Sequence, residues 1–108
     1  MNPEVRDSLK SAVESGTPVV MATVARTRGS TPRKAGAKML VQPDGSFCGT
    51  IGGGCGESEV WAEAMETHRD GEPRLVRVDL TGPMDGEDKI CGGIMDVYLE
   101  RIAPATES

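Results

Sequence analysis

At 108 residues and 11.4 kDa the chain has room for one domain around a single core. Hydrophobic residues make up 37% and include one Phe, one Trp and one Tyr, so that core must be built mostly from Val, Leu, Ile, Met and Ala. A net charge of −5 excludes the broad basic surface of nonspecific nucleic-acid binders. No run approaches the roughly 20 apolar residues that span a bilayer, and MNPEVRDSLK lacks the basic start and apolar run of a leader. The expectation is a cytoplasmic protein. Cys48, Cys55 and Cys91 are odd in number and lack framework spacing, which suits free thiols in a reducing compartment.

In chain order, Asn2 before Pro3 reads as a helix cap and first position, and Val5, Leu9, Ala12 and Val13 keep helical spacing until Gly16. PVVMATVA, residues 18–25, reads as a central strand buried on both faces. TRGSTPRKAG, from Thr27 to Gly36, reads as a loop. AKMLVQ, the turn Pro43 to Gly45 and SFCGTI then predict a β-hairpin. A second helix follows Gly52-Gly53-Gly54 and ends near Asp70 and Gly71. Val60, Trp61, Ala64, Met65 and His68 fall on its apolar face and Glu57, Glu59, Glu63 and Glu66 on the other. RLVRVDL, Arg74 to Leu80, predicts a strand, TGPMDGED a loop, and Ile94 to Ile102 a last strand with Asp96 and Glu100 on its polar side. APATES should fray. The predicted fold is therefore α+β, a mixed sheet of about five strands with two main helices in the order αβββαββ, as one domain over residues 1–108.

Three features bear on chemistry. Arg26, Arg28, Arg33, Lys34 and Lys38 place five positive charges between residues 26 and 38 with no acid among them, leaving −10 on the rest of the chain. A solvated loop would also have this composition. Strand, then Gly52-Gly53-Gly54-Cys55, then helix allows close backbone approach and presents unpaired N–H groups, which suits a phosphate or similar anion. GTIGGGC nevertheless matches neither the dinucleotide fingerprint nor the Walker loop, and Glu57 and Glu59 in the first helical turn would repel an anion.

Cys55 falls at the helix start, where a thiol pKa is lowered, so it is either a thiolate ligand or sulfur acceptor, or a buried inert residue. Cys48 lies within a strand and reads as packing. Cys91 with Gly92 and Gly93 echoes Gly52 to Cys55, and the two segments could face one another. His68, the single histidine, reads as a packing or helix-dipole residue, and no Ser-His-Asp or Cys-His arrangement assembles around it. Asp85, Glu87 and Asp88 read as a solvated turn in preference to a metal site.

ATVARTRGSTPRKAGAKMLVQPDGSFCGTIGGGCGESEV, together with CGGIMDVYLE, resembles the N-terminal domain of the XdhC/CoxI family, accessory proteins of xanthine dehydrogenase and carbon monoxide dehydrogenase. The resemblance spans Val19 to Glu100 and rests on the combination of RGSTPR, GAKM, GTIGGGC and CGG. It implies a non-enzymatic chaperone that binds molybdenum cofactor, as molybdopterin or a dinucleotide form, and helps its sulfuration and its insertion into a molybdenum hydroxylase. The implied cofactor-binding set is Arg28, Ser30, Arg33, Lys38, Gly52, Gly53, Gly54, Cys55, Glu57 and Cys91, with Cys55 approaching molybdenum itself. The implied partners are the apo-hydroxylase and a cysteine desulfurase, with a homodimer expected and neither nucleic acid nor membrane involved.

Longer family members continue into a Rossmann-like domain absent from this sequence, so the expectation is either a stand-alone paralogue or half of a two-chain system in which a separate chain supplies that domain. Gly56 stands where the family often has a larger residue, which predicts a more flexible loop after Cys55. Two other readings remain: a regulatory or scaffolding module that contacts the dehydrogenase or sulfur donor without binding cofactor, and a thiol enzyme acting through Cys55.

Overall fold

The structure is a computed structural model that describes residues 2–29, 31, 34–51, 56–80 and 93–103. Helix α1 spans Pro3–Ser15, capped by the Asn2 Oδ1, which accepts from the Glu4 N–H at 2.7 Å, and ended by Gly16 in the left-handed region. Strands β1 (Val19–Gly29), β2 (Lys38–Val41) and β3 (Phe47–Gly49) precede α2 (Glu57–Asp70), which is followed by β4 (Arg74–Asp79) and β5 (Gly93–Ile102). The order αβββαββ and the α+β class are as the sequence predicts.

The five strands form one sheet in the order β3-β2-β1-β5-β4, which puts β1 in the centre. Every pairing is antiparallel, so the sheet is not mixed. Strands β3 and β4, which α2 joins, lie on opposite edges, and the connection that would otherwise make a parallel neighbour pair therefore makes none.

Register divides the side chains between two faces. Val20, Ala22, Val24, Met39, Val41, Met95, Val97 and Leu99 meet Val60 and Ala64 of α2 in the larger core. Val19, Met21 and Leu40 meet Val5 and Ala12 of α1 in the smaller one. The strand expected to be buried on both faces is so from Val19 to Ala22. Burying one such side chain contributes about 1.5 to 3 kcal/mol, so two helices and one sheet carry the stability. Arg74 ties the end of α2 to β4, donating to the Asp70 carboxylate at 2.7 Å and to the buried Thr67 hydroxyl at 2.8 Å.

Helix α1 covers only the β1–β2–β3 half of its face. Beyond it Leu75 and Tyr98, paired across β4 and β5, remain 64% and 38% exposed.

Candidate functional site

Strand β1 does not stop where the glycine and proline chemistry begins. A bulge between Val24 and Arg26 shifts the register, and Thr27, Arg28 and Gly29 go on to pair with Met95, Ile94 and Gly93. The segment read as a loop from Thr27 is thus strand up to Gly29, because β5 supplies a long partner. Lys34 to Ala37 turn back, with Gly36 N–H donating to Val24 O at 2.8 Å.

This extension defines one end of the sheet. Gly29 lies beside Gly93, Leu80 N–H donates to Gly93 O at 2.7 Å, and the start of α2 reaches the same end, since a Cβ on Gly56 would sit 2.6 Å from Val78 Cγ1. Gly56 is the helix cap at φ 76°, a conformation and a contact that exclude a larger side chain, so it fixes the helix start where flexibility was predicted. Gly29, Gly56, Leu80 and Gly93, which border the predicted site segments in the sequence, meet at this end. Ser30, Arg33, Gly52, Gly53, Gly54, Cys55 and Cys91 fall outside the described residues, as do Asp85, Glu87 and Asp88.

Among the described candidates, Arg28 sits at the end of β1 on the face α1 partly covers, exposed and with no ion pair or hydrogen bond among the described residues. Lys38 is on the same face, its Nζ donating to Thr23 Oγ1 at 3.1 Å. Glu57 begins α2 on the opposite face, where it accepts the Thr50 hydroxyl. The three therefore share one end of the sheet but not one face.

Arg26 is not available as a free cation. It and Arg77 flank Asp96 across β1, β5 and β4, with N–O distances of 3.1 and 3.0 Å to its carboxylate. Asp96, expected on a polar side, is 7% exposed at its side chain, covered by the two arginines it binds. The Arg77 hydrogen bond holds its carboxyl below the usual carboxylate range against the opposing effect of burial, and Arg26 adds to the lowering. The one signal of this pair in the sequence is an acid set among Ile94, Met95, Val97 and Leu99.

Cys48 is half-buried, with Sγ 3.3 Å from Ser8 Oγ in the smaller core. A His68 ring nitrogen lies 2.9 Å from Val41 O, a packing position as predicted. Among the described residues no three His, Cys, Asp or Glu side chains could hold a metal ion. No described helix is long and apolar enough to cross a membrane.

The sequence reading missed a groove of about 470 Å³ lined by Met39, Gly45, Phe47, Glu57, Ser58 and Trp61, between α2 and the β2–β3 hairpin. Trp61, expected on the buried face of α2, is 37% exposed, because Val60, Ala64 and Thr67 take the buried positions. The available clue was the placing of two of the three aromatic residues, Phe47 and Trp61, on either side of the Gly52–Cys55 run.

Residues 12–79 match the sequence model of the XdhC and CoxI family. The chain belongs to that family. Over 89 residues it is 40% identical to the Escherichia coli protein YqeB, described as uncharacterized, covering 80% of this chain and 16% of that protein. It is 35% identical over 103 residues to the Escherichia coli molybdenum cofactor insertion chaperone PaoD, covering 93% of this chain and 32% of that one. A solved structure described as a xanthine dehydrogenase from Bacillus halodurans superposes with a TM-score of 0.74 at 35% identity, covering 88% of this chain and 29% of the other. The chain thus spans under a third of the length of these relatives. The family match takes in Arg28, Lys38, Glu57 and the groove, and stops at the end of β4.

Proposed function

We propose that this XdhC/CoxI chain is an accessory protein that binds molybdenum cofactor, holds it while it receives its terminal sulfur and passes it to a molybdenum hydroxylase. The observation that carries the reading is that Gly29, Gly56, Leu80 and Gly93, described residues that border the predicted ligand segments in the sequence, are neighbours at one end of the sheet.

The donor chemistry at that end fits the cargo. Molybdopterin carries a phosphate, and Arg28 offers an exposed guanidinium without a protein partner among the described residues. Ser30, Arg33, Lys38 and the Gly52 to Gly54 amides would complete the anion contacts, with Cys55 and Cys91 offered to the molybdenum end. The cofactor supplies molybdenum and sulfur chemistry, while the chain binds, orients and shields it. The 35% identity to PaoD, a molybdenum cofactor insertion chaperone, supports this reading, and an apo-hydroxylase and a cysteine desulfurase are the partners it calls for.

The test is purification from a molybdenum-replete host, with metal analysis and pterin fluorescence of the released ligand. Wild-type protein should carry both signals, and Cys55→Ser and Arg28→Ala should carry less. Absence of both signals, with no uptake of released cofactor, would overturn the reading in favour of a scaffold.

A further inference from the structure

We infer that the groove between α2 and the β2–β3 hairpin binds a fused 2-aminopyrimidinone ring, the flat heterocycle shared by pterins and guanine, with Glu57 recognising its amino edge. This deepens the cofactor-chaperone reading and rests on it for the source of the ring. At about 470 Å³ the groove lies within the roughly 300 to 1,000 Å³ of small-molecule sites. Its walls are Met39, Phe47 and Trp61, so two of the chain's three aromatic side chains flank one cleft.

Trp61 is held in place. Its Nε1–H donates to Gly45 O at 2.8 Å, and the indole lies so close to the turn that a Cβ on Gly45 would be 3.2 Å from the ring. Phe47, on a three-residue edge strand, is 50% exposed. Flat faces of this kind suit a flat ligand, because stacking returns the apolar area that the fold leaves in water.

The polar group is Glu57. One of its oxygens, Oε2, accepts the Thr50 hydroxyl, which orients the carboxylate, and Oε1 has no hydrogen bond among the described residues. An ionised carboxylate only accepts, so the groove calls for a ring whose edge donates. A 2-amino group beside a ring N–H presents two adjacent donors, matching a carboxylate in the way a guanidinium does. The same charge repels phosphate, which assigns the heterocycle to this face of the sheet and leaves the phosphate to the arginine-bearing side.

Trp61 is the single tryptophan, so its fluorescence reports the groove directly. Purified protein is titrated with pterin, with guanosine, and with lumazine, which carries a carbonyl in place of the 2-amino group. Pterin or guanosine should quench Trp61 saturably, the tighter of the two identifying the source, and lumazine should bind at least about tenfold more weakly. Glu57→Gln should erase that preference, and Phe47→Ala, at an exposed position, should weaken binding several-fold while circular dichroism stays unchanged.

No saturable quenching by pterin or guanosine, or equal affinity for lumazine, overturns the inference. If wild-type, Phe47→Ala and Glu57→Gln proteins co-purify with equal cofactor, the groove assignment fails and the chaperone reading survives. If pterin binds the groove but no cofactor is ever carried, the reverse holds.

Discussion

Replacing Gly56 by Ala tests whether the start of α2 is fixed against β4. Gly56 has φ 76°, and a Cβ there would lie 2.6 Å from Val78 Cγ1, 3.7 Å from Val78 Cβ and 3.8 Å from Leu80 Cδ2. Two costs combine: about 1 to 2 kcal/mol for left-handed backbone in an L residue, and about 1 to 3 kcal/mol for overpacking. Gly16 has φ 78° with nothing within 4 Å of its Cβ position, so Gly16→Ala incurs the first cost alone. The difference between the two variants isolates the contact with Val78. Each kcal/mol is worth about 4 to 8 °C in a domain of this size, so Gly56→Ala should melt at least about 4 °C below Gly16→Ala. Thermal and urea unfolding followed by circular dichroism measure this. Val78→Ala, which removes the clashing methyl, should cost less in the Gly56→Ala background than in wild type. If Gly56→Ala is no worse than Gly16→Ala, the chain relaxes away from Val78, and the helix start does not fix where Gly52 to Cys55 enter it.

Arg28→Ala and Arg33→Ala should each weaken cofactor binding about tenfold or more at fixed salt, the effect of losing a charge-assisted hydrogen bond, with little change in melting temperature. Asp96→Asn should lower the melting temperature at neutral pH, where wild type has the ionised carboxylate between Arg26 and Arg77. Because the folded-state pKa is depressed, that contribution is full above the unfolded value of about 3.9 and is lost as pH falls through the lower folded value. The two melting curves should therefore converge in acid, and a gap that persists there would assign the loss to packing. Cys55 should alkylate faster than Cys48, whose sulfur packs near Ser8, with an apparent pKa below about 8.5. Slower reaction at Cys55, with normal cofactor delivery by Cys55→Ser, would make that thiol structural.

Local signals identified the elements because they lie in neighbouring residues. Asn2-Pro3 and Gly16 mark the ends of α1, the turn around Gly45 closes the hairpin, and the aliphatic run from Val19 to Ala22 reads as central strand and is. Partner choice was not legible, since it depends on residues far apart in the chain. Strand β1 runs on to Gly29 because β5, some 70 positions later, offers Ile94 and Gly93 as partners for Arg28 and Gly29. Asp96 is buried for the same reason, as two arginines from different strands cover it. The groove is not legible in the sequence because helical periodicity puts Trp61 with Val60 and Ala64, and its actual partner, Gly45, is fixed only by how the hairpin packs on α2.

The distribution of charge between the two faces bears on how the candidate residues act together. Arg28 and Lys38 lie on the side of the sheet that carries α1, and Glu57 with the groove lies on the side that carries α2. An anion drawn to the arginines gains nothing from the glutamate side, and a donor-edged ring drawn to Glu57 gains nothing from the arginines. A single ligand with a phosphate at one end and an amino-bearing heterocycle at the other satisfies both, provided it crosses the end of the sheet. Gly29, Leu80 and Gly93 meet there, and the backbone bond from Leu80 to Gly93 closes the rim. A ligand carrying phosphate alone would leave Glu57 uncompensated near its path, and a ring without phosphate would leave Arg28 unused. On the proposed chaperone reading, the opposed charges would favour a ligand with both groups, and the acidic first turn of α2, a liability for a simple anion site, would then suit a cofactor that carries a pterin and a phosphate together.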